Sequence, residues 1–188
     1  GYDEELSDNS GFEGAIVLDP KPGLYLDDPI AVVDYASLYP SSIKEKNISH
    51  DTYLGDYKDL SKEEWFKDWD EKIDYNRIQY DNYEYVQKPG TNVVEKLVVK
   101  NEDGSNQVMD CVFLSEHNTK VEKKKGIIPL VVGELLNQRN LTKGLLKKEK
   151  DDNKKKVLDG LQLAYKLTAN SVYGQLGAKT SSISFKKV

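Results

Sequence analysis

An apolar face with helical spacing runs through residues 157–174, VLDGLQLAYKLTANSVYG, and this stretch decides the fold. The residues of that face are Val157, Leu161, Ala164 and Thr168. A second helical pattern precedes it from Pro129 onward, and its apolar positions are Leu135, Leu136, Leu141 and Leu145. The polar residues 151–153 lie between the two patterns and predict a turn. The two helices should therefore pack as an antiparallel hairpin.

Short strands are predicted in the N-terminal part of the chain, at 15–18 and at 24–26. A third is predicted at 30–33, where the run Ile-Ala-Val-Val is unbroken and typical of a strand buried on both faces. This strand should end at Asp34. Pro40 then favours the first turn of a short helix.

Residues 51–118 have a different character and predict a β-rich insertion. The pattern Ser-Lys-Glu-Glu at 61–64 is typical of a capping box, so a short helix should carry Trp65, Phe66 and Trp69. Strands are predicted at 80–86, 93–99 and 108–114, separated by turn residues. The tyrosines of the insertion could stack on bases, but their β propensity and acidic neighbours favour packing; they are Tyr75, Tyr80, Tyr83 and Tyr85.

The predicted fold class is therefore α+β. It combines a partial antiparallel sheet, the β-rich insertion and a long antiparallel helical hairpin. The segments are predicted at 1–50 for the N-terminal part of the sheet, 51–118 for the insertion, 119–174 for the hairpin and 175–188 for a return toward the sheet.

Charge is distributed unevenly along the chain, although the net charge is only −5. Residues 1–60 hold 4 basic and 13 acidic side chains, whereas residues 117–188 hold 16 basic and 6 acidic ones. An electropositive C-terminal third is where a polyanion should bind, because Lys and Arg neutralise phosphates. A solvated lysine-rich helix is the alternative interpretation of the same pattern.

Composition argues against a membrane-spanning protein, a disulfide-bonded protein and a zinc-binding protein. No apolar run approaches the length of a membrane span, and we expect an intracellular protein without a membrane partner. The single cysteine, Cys111, excludes an internal disulfide. Together with only His50 and His117 it makes a poor zinc-binding set.

The first motif with chemical content is residues 34–41, DYASLYPS. A carboxylate such as Asp34, at the end of a buried strand, is unfavourable unless a cation is near. Mg²⁺ binds one or two carboxylates, retains waters and takes substrate phosphate oxygens as further ligands, so Asp34 would suit it. The alternative for an isolated aspartate is a cap on the following turn.

The second motif lies on the hairpin, at residues 166–174. Arg139 and Lys166 are almost equally far from Asp152 in sequence, so antiparallel packing can set them side by side. Lys143 lies one turn from Arg139. Lys166, Asn170 and Tyr173 follow at i, i+4 and i+7 and share a helix face, and these groups could converge on one anionic ligand.

Together, in this order, the two motifs resemble the first two polymerase motifs of family B DNA polymerases. The resemblance implies a palm for the predicted sheet and mobile fingers for the hairpin. It places Asp34 and Tyr35 at a Mg²⁺ ion and the backbone amides of Ser37 and Leu38 on a nucleoside triphosphate. Tyr39 would lie under the sugar and exclude a 2′-hydroxyl, which selects deoxynucleotides.

The same resemblance assigns roles on the hairpin. The residues that would contact the triphosphate are Arg139, Lys143, Lys166 and Asn170. Lys166 would also be catalytic, as the proton donor to the departing pyrophosphate. Tyr173 and Gly174 would lie beside the nascent base pair.

The resemblance implies template-directed transfer of deoxynucleotides to a primer 3′-hydroxyl, with primer-template DNA and deoxynucleoside triphosphates as partners. Polymerases of nucleocytoplasmic large DNA viruses are the most similar members, which implies replication in the nucleus or cytoplasm of a host cell. A processivity factor would bind through other regions. The Asp-Thr-Asp strand turn of the family's third motif is absent from this sequence, so we expect that these residues alone do not polymerise.

Two other functions would each account for part of the sequence. In the first, the chain is a non-catalytic nucleic-acid-binding module with a basic helical hairpin and a structural Asp34. In the second, it is an interaction domain built around the tyrosine-rich insertion. Neither explains both motifs and their order.

Overall fold

The computed structural model describes residues 19–26, 29–87, 89–90, 94–178 and 181–185. Helices and antiparallel strands follow one another, which confirms the α+β class. The helices are α1 (Leu38–Glu45), α2 (Tyr57–Leu60), α3 (Ile127–Lys148) and α4 (Asp152–Gly177), with a single 3₁₀ turn at Glu64–Phe66. The strands are β1 (Tyr53–Asp56), β2 (Tyr75–Asp81), β3 (Tyr83–Gln87), β4 (Val94–Val98) and β5 (Val108–Leu114).

The strands form one antiparallel sheet in the order β1-β5-β2 and a separate two-stranded ribbon, β3-β4. Asn82 interrupts the strand that was predicted at 80–86 and divides it between the two sheets. Its amide donates to the carbonyl of Gln107, and its carbonyl accepts from the amide of Val99, both at 2.8 Å. These two bonds turn the chain from the sheet into the ribbon.

Both faces of β5 are buried, and each belongs to a different hydrophobic cluster. Cys111 and Phe113 pack with Ile43 of α1 and Leu176 of α4. Val112 faces the opposite side, where its partners are Leu60, Phe66 and Tyr75. This alternation follows from the two-residue period of a strand. Leu176 is only 1% exposed, so the base of the helical hairpin is seated directly on the sheet.

The predicted antiparallel hairpin is confirmed, with its turn close to the expected position. Helix α3 ends at Lys148 and α4 begins at Asp152. Asp151 caps α4, because its carboxylate accepts hydrogen bonds from the backbone amides of Asn153 and Lys154.

Asn47 connects the end of α1 with the last strand of the insertion and with the start of α3. Its side chain is fully buried and its φ of 54° is left-handed, a conformation that asparagine tolerates. The Nδ2 group donates to the carbonyls of Leu114 at 2.8 Å and Lys124 at 3.0 Å. The Oδ1 atom accepts from the amide of Gly126 at 2.8 Å, so one side chain joins α1, β5 and the start of α3.

The first turn of α3 approaches the chain after α1 closely. A Cβ atom on Gly126 would lie 2.6 Å from the Cβ of Ser49, so only glycine fits there. The carboxylate of Asp51 accepts from the amide of Ile127 at 3.3 Å and pairs with Lys123 at 2.5 Å. Burial raises the pKa of Asp51, but these contacts and the Ser49 hydroxyl outweigh it and lower the pKa to about 2.

Several predicted elements were wrong. The run 30–33 is not a strand, and Val32 and Val33 are 91% and 93% exposed. No strand lies beside this run within the described residues, and backbone groups form a strand only when a neighbour accepts and donates their hydrogen bonds. Residues 24–26 are likewise exposed and irregular, whereas 15–18 lie outside the described residues. Among the described residues of the N-terminal segment no sheet is observed, and the strands of the observed sheets lie in the 51–118 segment.

The predicted capping box at 61–64 is also wrong. Ser61 is the C-cap of α2, and Glu63 precedes the 3₁₀ turn without a side-chain cap. Trp65 and Phe66 lie in that turn and pack against Trp69, which follows it, so the three residues do not share an α-helix. The segment boundaries at 50, 118 and 174 stay predictions. In the part of the chain that the structure describes, no helix is long and apolar enough to cross a membrane.

Replacement of Asn47 by alanine should lower the free energy of unfolding by at least about 3 kcal/mol. The change leaves three backbone groups without this partner, two of them in buried hydrogen bonds, and puts alanine in a left-handed conformation. Denaturant unfolding measures the loss. Asn76→Ala is the control, because it removes one exposed hydrogen bond to the carbonyl of Lys46 and should cost under about 1 kcal/mol. Equal losses in the two variants would contradict the role given to Asn47.

Asp51 should make the free energy of unfolding depend on pH in the acid range. Its folded pKa lies below its unfolded value, so its contribution is complete above about pH 5 and is lost as the pH falls toward about 2. We expect the free energy of unfolding to decrease by about 1 kcal/mol over that range, after allowance for the partial exposure of the Lys123 pair. Asp51→Asn should remove this part of the pH dependence. Asp59→Asn, which breaks an exposed pair with Lys62, should leave it unchanged.

Candidate functional site

A cleft of about 710 Å³ lies between the segment that enters α1 and the C-terminal half of α4. Nine of the residues singled out in the sequence line it, although they come from two motifs far apart in the chain. They are Asp34, Tyr35, Ser37, Leu38, Tyr39, Lys166, Asn170, Tyr173 and Gly174. Since Ile43 and Leu176 pack in one hydrophobic cluster, the core itself holds α1 against α4 at this position.

The cleft presents opposite charges that do not neutralise each other. Asp34 is exposed, and its carboxylate forms no hydrogen bond or ion pair within the described residues. Lys166 lines the same cleft, and it too has no carboxylate within 4.0 Å in the described part of the chain. Both groups are therefore available to a ligand that carries a cation and an anion together.

The residues at the start of α1, Ser37 and Leu38, line the same space. Ser37 is the N-cap of α1 and has a left-handed φ of 54°, while its carbonyl accepts from the amide of Ser41 at 2.9 Å. The first amides of a helix have no intrahelical partner, and a left-handed residue beside helical ones forms a concavity suited to anions. This is a strained conformation for serine, of the kind that clusters at functional sites.

Two tyrosines from the separate motifs stack on each other. The ring centroids of Tyr39 and Tyr173 are 4.2 Å apart and their planes differ by 8°. This contact joins α1 to α4 across the wall of the cleft and holds Tyr39 in one orientation. The sequence placed both residues at the site but had no signal for the stack.

Gly174 leaves one wall of the cleft open. A Cβ atom at this position would meet no described atom within 4 Å. A methyl group would thus fit the fold but would project into space that a ligand could use.

Arg139 and Lys143 do not line the cleft. The sequence had predicted that both would converge with Lys166 on one anionic ligand. Arg139 lies opposite Gln162, to whose Oε1 its Nε donates at 3.4 Å. Gln162 is one turn of α4 closer to the tip than Lys166. The difference arises because the connection is centred near residue 150, before the Asp152 position assumed from the sequence, and this shifts the helix pairing by one turn.

The sequence missed some residues of the cleft wall. Ser171 and Gln175 line it and lie beside Asn170 and Gly174 on α4. Their spacing of four residues places them on one helix face and was the available signal. Pro40 is buried at the base of the cleft in the first turn of α1, where its missing N–H costs no hydrogen bond.

The residues present would suit one magnesium ion in part. Within the described residues no group of three or more His, Cys, Asp or Glu side chains could hold a metal. A single free carboxylate, Asp34, is nevertheless compatible with Mg²⁺, which takes its remaining ligands from phosphate and water. Tyr35 also lines the cleft, and its backbone carbonyl is a hard oxygen of the kind that Mg²⁺ accepts.

Comparison with known proteins identifies relatives over nearly the whole chain. The family model of DNA polymerase family B matches residues 2–188. A DNA polymerase of Phaeocystis pouchetii virus is 39% identical over 98% of this chain, and one of Pyramimonas orientalis virus is 34% identical over all of it. The DNA polymerase delta catalytic subunit of Dictyostelium discoideum is 35% identical over 92% of the chain.

The chain spans only 18%, 17% and 12% of the length of these three relatives. The match nevertheless includes both motifs that form the cleft, since it extends from residue 2 to residue 188. The chain belongs to DNA polymerase family B.

Proposed function

We propose that this chain is part of a DNA-directed DNA polymerase and that its cleft holds a magnesium-bound deoxynucleoside triphosphate. The observation that supports the proposal is the pair of unneutralised charges, Asp34 and Lys166, in one cleft. A metal-bound triphosphate carries the complementary charges. Ser37 and Leu38, at the start of α1, line the same cleft, and their backbone amides would donate hydrogen bonds to the phosphate oxygens.

In this proposal Asp34 and the backbone carbonyl of Tyr35 hold the ion. Mg²⁺ would lower the repulsion among the phosphate oxygens and polarise the reacting phosphorus. The amides of Ser37 and Leu38 bind the phosphate oxygens and orient the triphosphate. Partial enclosure of the cleft strengthens these contacts, because water screens them less.

The reaction would be nucleotidyl transfer to a primer. The primer O3′ atom forms a bond to the α-phosphorus, and the bond between that phosphorus and the bridging oxygen of pyrophosphate breaks. The hydroxyl proton leaves to solvent, and Lys166 Nζ donates a proton to the pyrophosphate. Asn170, one turn along α4, hydrogen-bonds the same phosphates, and both groups stabilise charge that develops in the transition state.

Tyr39 selects the sugar in this proposal, supported from behind by its stack on Tyr173. A ring held in one orientation can exclude the extra oxygen of a ribonucleotide, because the 2′-hydroxyl would have to enter the space that the ring fills. Tyr173 and Gly174 then contact the nascent base pair. Arg139 and Lys143 reach the triphosphate only when the hairpin moves toward the cleft, a closure that would also exclude water.

Primer-template DNA is the proposed macromolecular partner, with DNA replication in a host nucleus or cytoplasm as the setting. A processivity factor would bind a longer protein elsewhere. A non-catalytic DNA-binding module remains the second candidate, since residues 117–188 are strongly basic. Salt-dependent DNA binding without any Mg²⁺-dependent nucleotide binding would favour that second function.

Replacement of Asp34 by asparagine in the full-length polymerase should reduce nucleotide incorporation on the order of 100-fold or more, because the neutral amide holds Mg²⁺ poorly. Primer-template affinity should change little. Primer extension and DNA-binding assays measure the two quantities. The matched control is Asp19→Asn, which neutralises another exposed carboxylate that does not line the cleft. Normal turnover by Asp34→Asn would refute the metal role.

Replacement of Gly174 by alanine separates folding from function. The methyl group meets no described atom, and alanine favours a helix by about 1 kcal/mol, so unfolding should become slightly less favourable. In the full-length enzyme the same methyl group should lower kcat/KM for nucleotide incorporation by about tenfold or more, since it fills the wall of the cleft. Gly160→Ala is the control, because that glycine of α4 is equally open but lies outside the cleft. Unchanged incorporation by Gly174→Ala would show that the substrate does not occupy this wall.

A further inference from the structure

A second concavity lies at the closed end of the helical hairpin, well away from the cleft. It measures about 530 Å³ and opens between the end of α3 and the start of α4. Leu145, Val157 and Leu158 form its apolar floor, and Lys148 and Lys154 lie at its sides. We call this concavity the tip groove. Leu145 and Val157 are 59% and 69% exposed, so the aliphatic floor is open to solvent.

The lysines of the tip groove form no close ion pair within the described residues, although the Glu149 carboxylate, which also lines the groove, interacts electrostatically with Lys154. Glu149 directs its carboxylate to the backbone amides of Lys150 and Asp151. Asp151 caps α4 through two further amides. Within the described residues, neither Lys148 nor Lys154 has a carboxylate within 4.0 Å. The groove therefore combines an uncovered apolar floor with a net positive charge, from two lysines against one glutamate.

We propose that the tip groove docks an acidic amphipathic segment of a partner protein. Apolar side chains of that segment would cover Leu145, Val157 and Leu158, and its carboxylates would pair with Lys148 and Lys154. Helix-in-groove recognition uses apolar residues at helical spacing in this way, with charge complementarity setting specificity. Burial of the aliphatic floor supplies the affinity.

The lining of the groove favours a protein segment over single-stranded nucleic acid. Sites for single strands combine positive charge with aromatic rings on which bases stack. No aromatic side chain lines the tip groove, and its floor is aliphatic. The proposal is also independent of catalysis, since no residue of the groove lines the cleft. A variant that loses polymerase activity should therefore still bind the acidic segment in the tip groove.

The test uses these 188 residues and a synthetic helical peptide. The peptide has about 14 residues and a length of about 21 Å, with leucines at i, i+4 and i+7 and glutamates beside them. Fluorescence anisotropy at about 150 mM salt, where the Debye length is about 8 Å, measures the affinity without long-range charge effects. We expect saturable binding in the micromolar range. A peptide of the same length with serine in place of leucine should not bind.

Charge-reversed variants locate the contact. Lys148→Glu with Lys154→Glu should weaken binding by about tenfold or more, equal to about 1.4 kcal/mol. The matched control is Lys147→Glu with Lys156→Glu, which changes the net charge equally at exposed tip positions outside the groove. That control should stay within about threefold of the wild-type affinity. A peptide with lysines in place of glutamates should bind the groove variant and thereby show that it is folded.

Val157→Ser tests the apolar floor and should also weaken binding by about tenfold. Three results would overturn the proposal. The first is that the acidic peptide shows no saturable binding. The second is that the groove and control charge reversals weaken binding equally. The third is that a thymidine oligonucleotide of about 15 nucleotides displaces the peptide and itself binds in a way that depends on Val157.

Discussion

The buried side chain of Asn47 sets the position of nearly everything else. Three backbone groups converge on its side-chain amide, one from β5 and two from the 115–126 connection that leads into α3, and two of the three hydrogen bonds are buried. Buried backbone groups without a partner are costly, so the elements cannot separate without loss of these bonds. These bonds hold the first turn of α3 against the end of α1 independently of the contacts along the hairpin.

The cleft follows from that placement. Helix α3 leaves the Asn47 junction, the hairpin reverses at residues 149–151, and α4 returns so that Leu176 enters the hydrophobic cluster of Phe113 and Ile43. The residues just before Leu176 on α4 must then face the segment that enters α1. The Tyr39–Tyr173 stack is a direct contact between these two segments, and in this arrangement Lys166 lines the same cleft as Asp34.

The two ends of the hairpin differ in chemistry. Near its base α4 presents polar and charged groups to a cleft that an unpaired carboxylate shares. Near its tip the helices leave aliphatic side chains uncovered between lysines. A ligand with a metal and phosphates suits the first surface, and an acidic amphipathic protein segment suits the second. The two surfaces share no residue, so each can be changed without direct effect on the other.

The sequence by itself determined the helical hairpin, the identity of most cleft residues and the family, because helical spacing and linear motifs are local properties of the chain. The tertiary structure alone decided three further points: that 30–33 is not a strand among the described residues, that Arg139 faces Gln162 and not Lys166, and that Asn47 joins three elements. A strand depends on a neighbour that is distant in sequence, helix pairing depends on where the turn is centred, and a buried amide depends on partners from separate segments. None of these partners can be read from the residues around them, since each is supplied only when the chain packs.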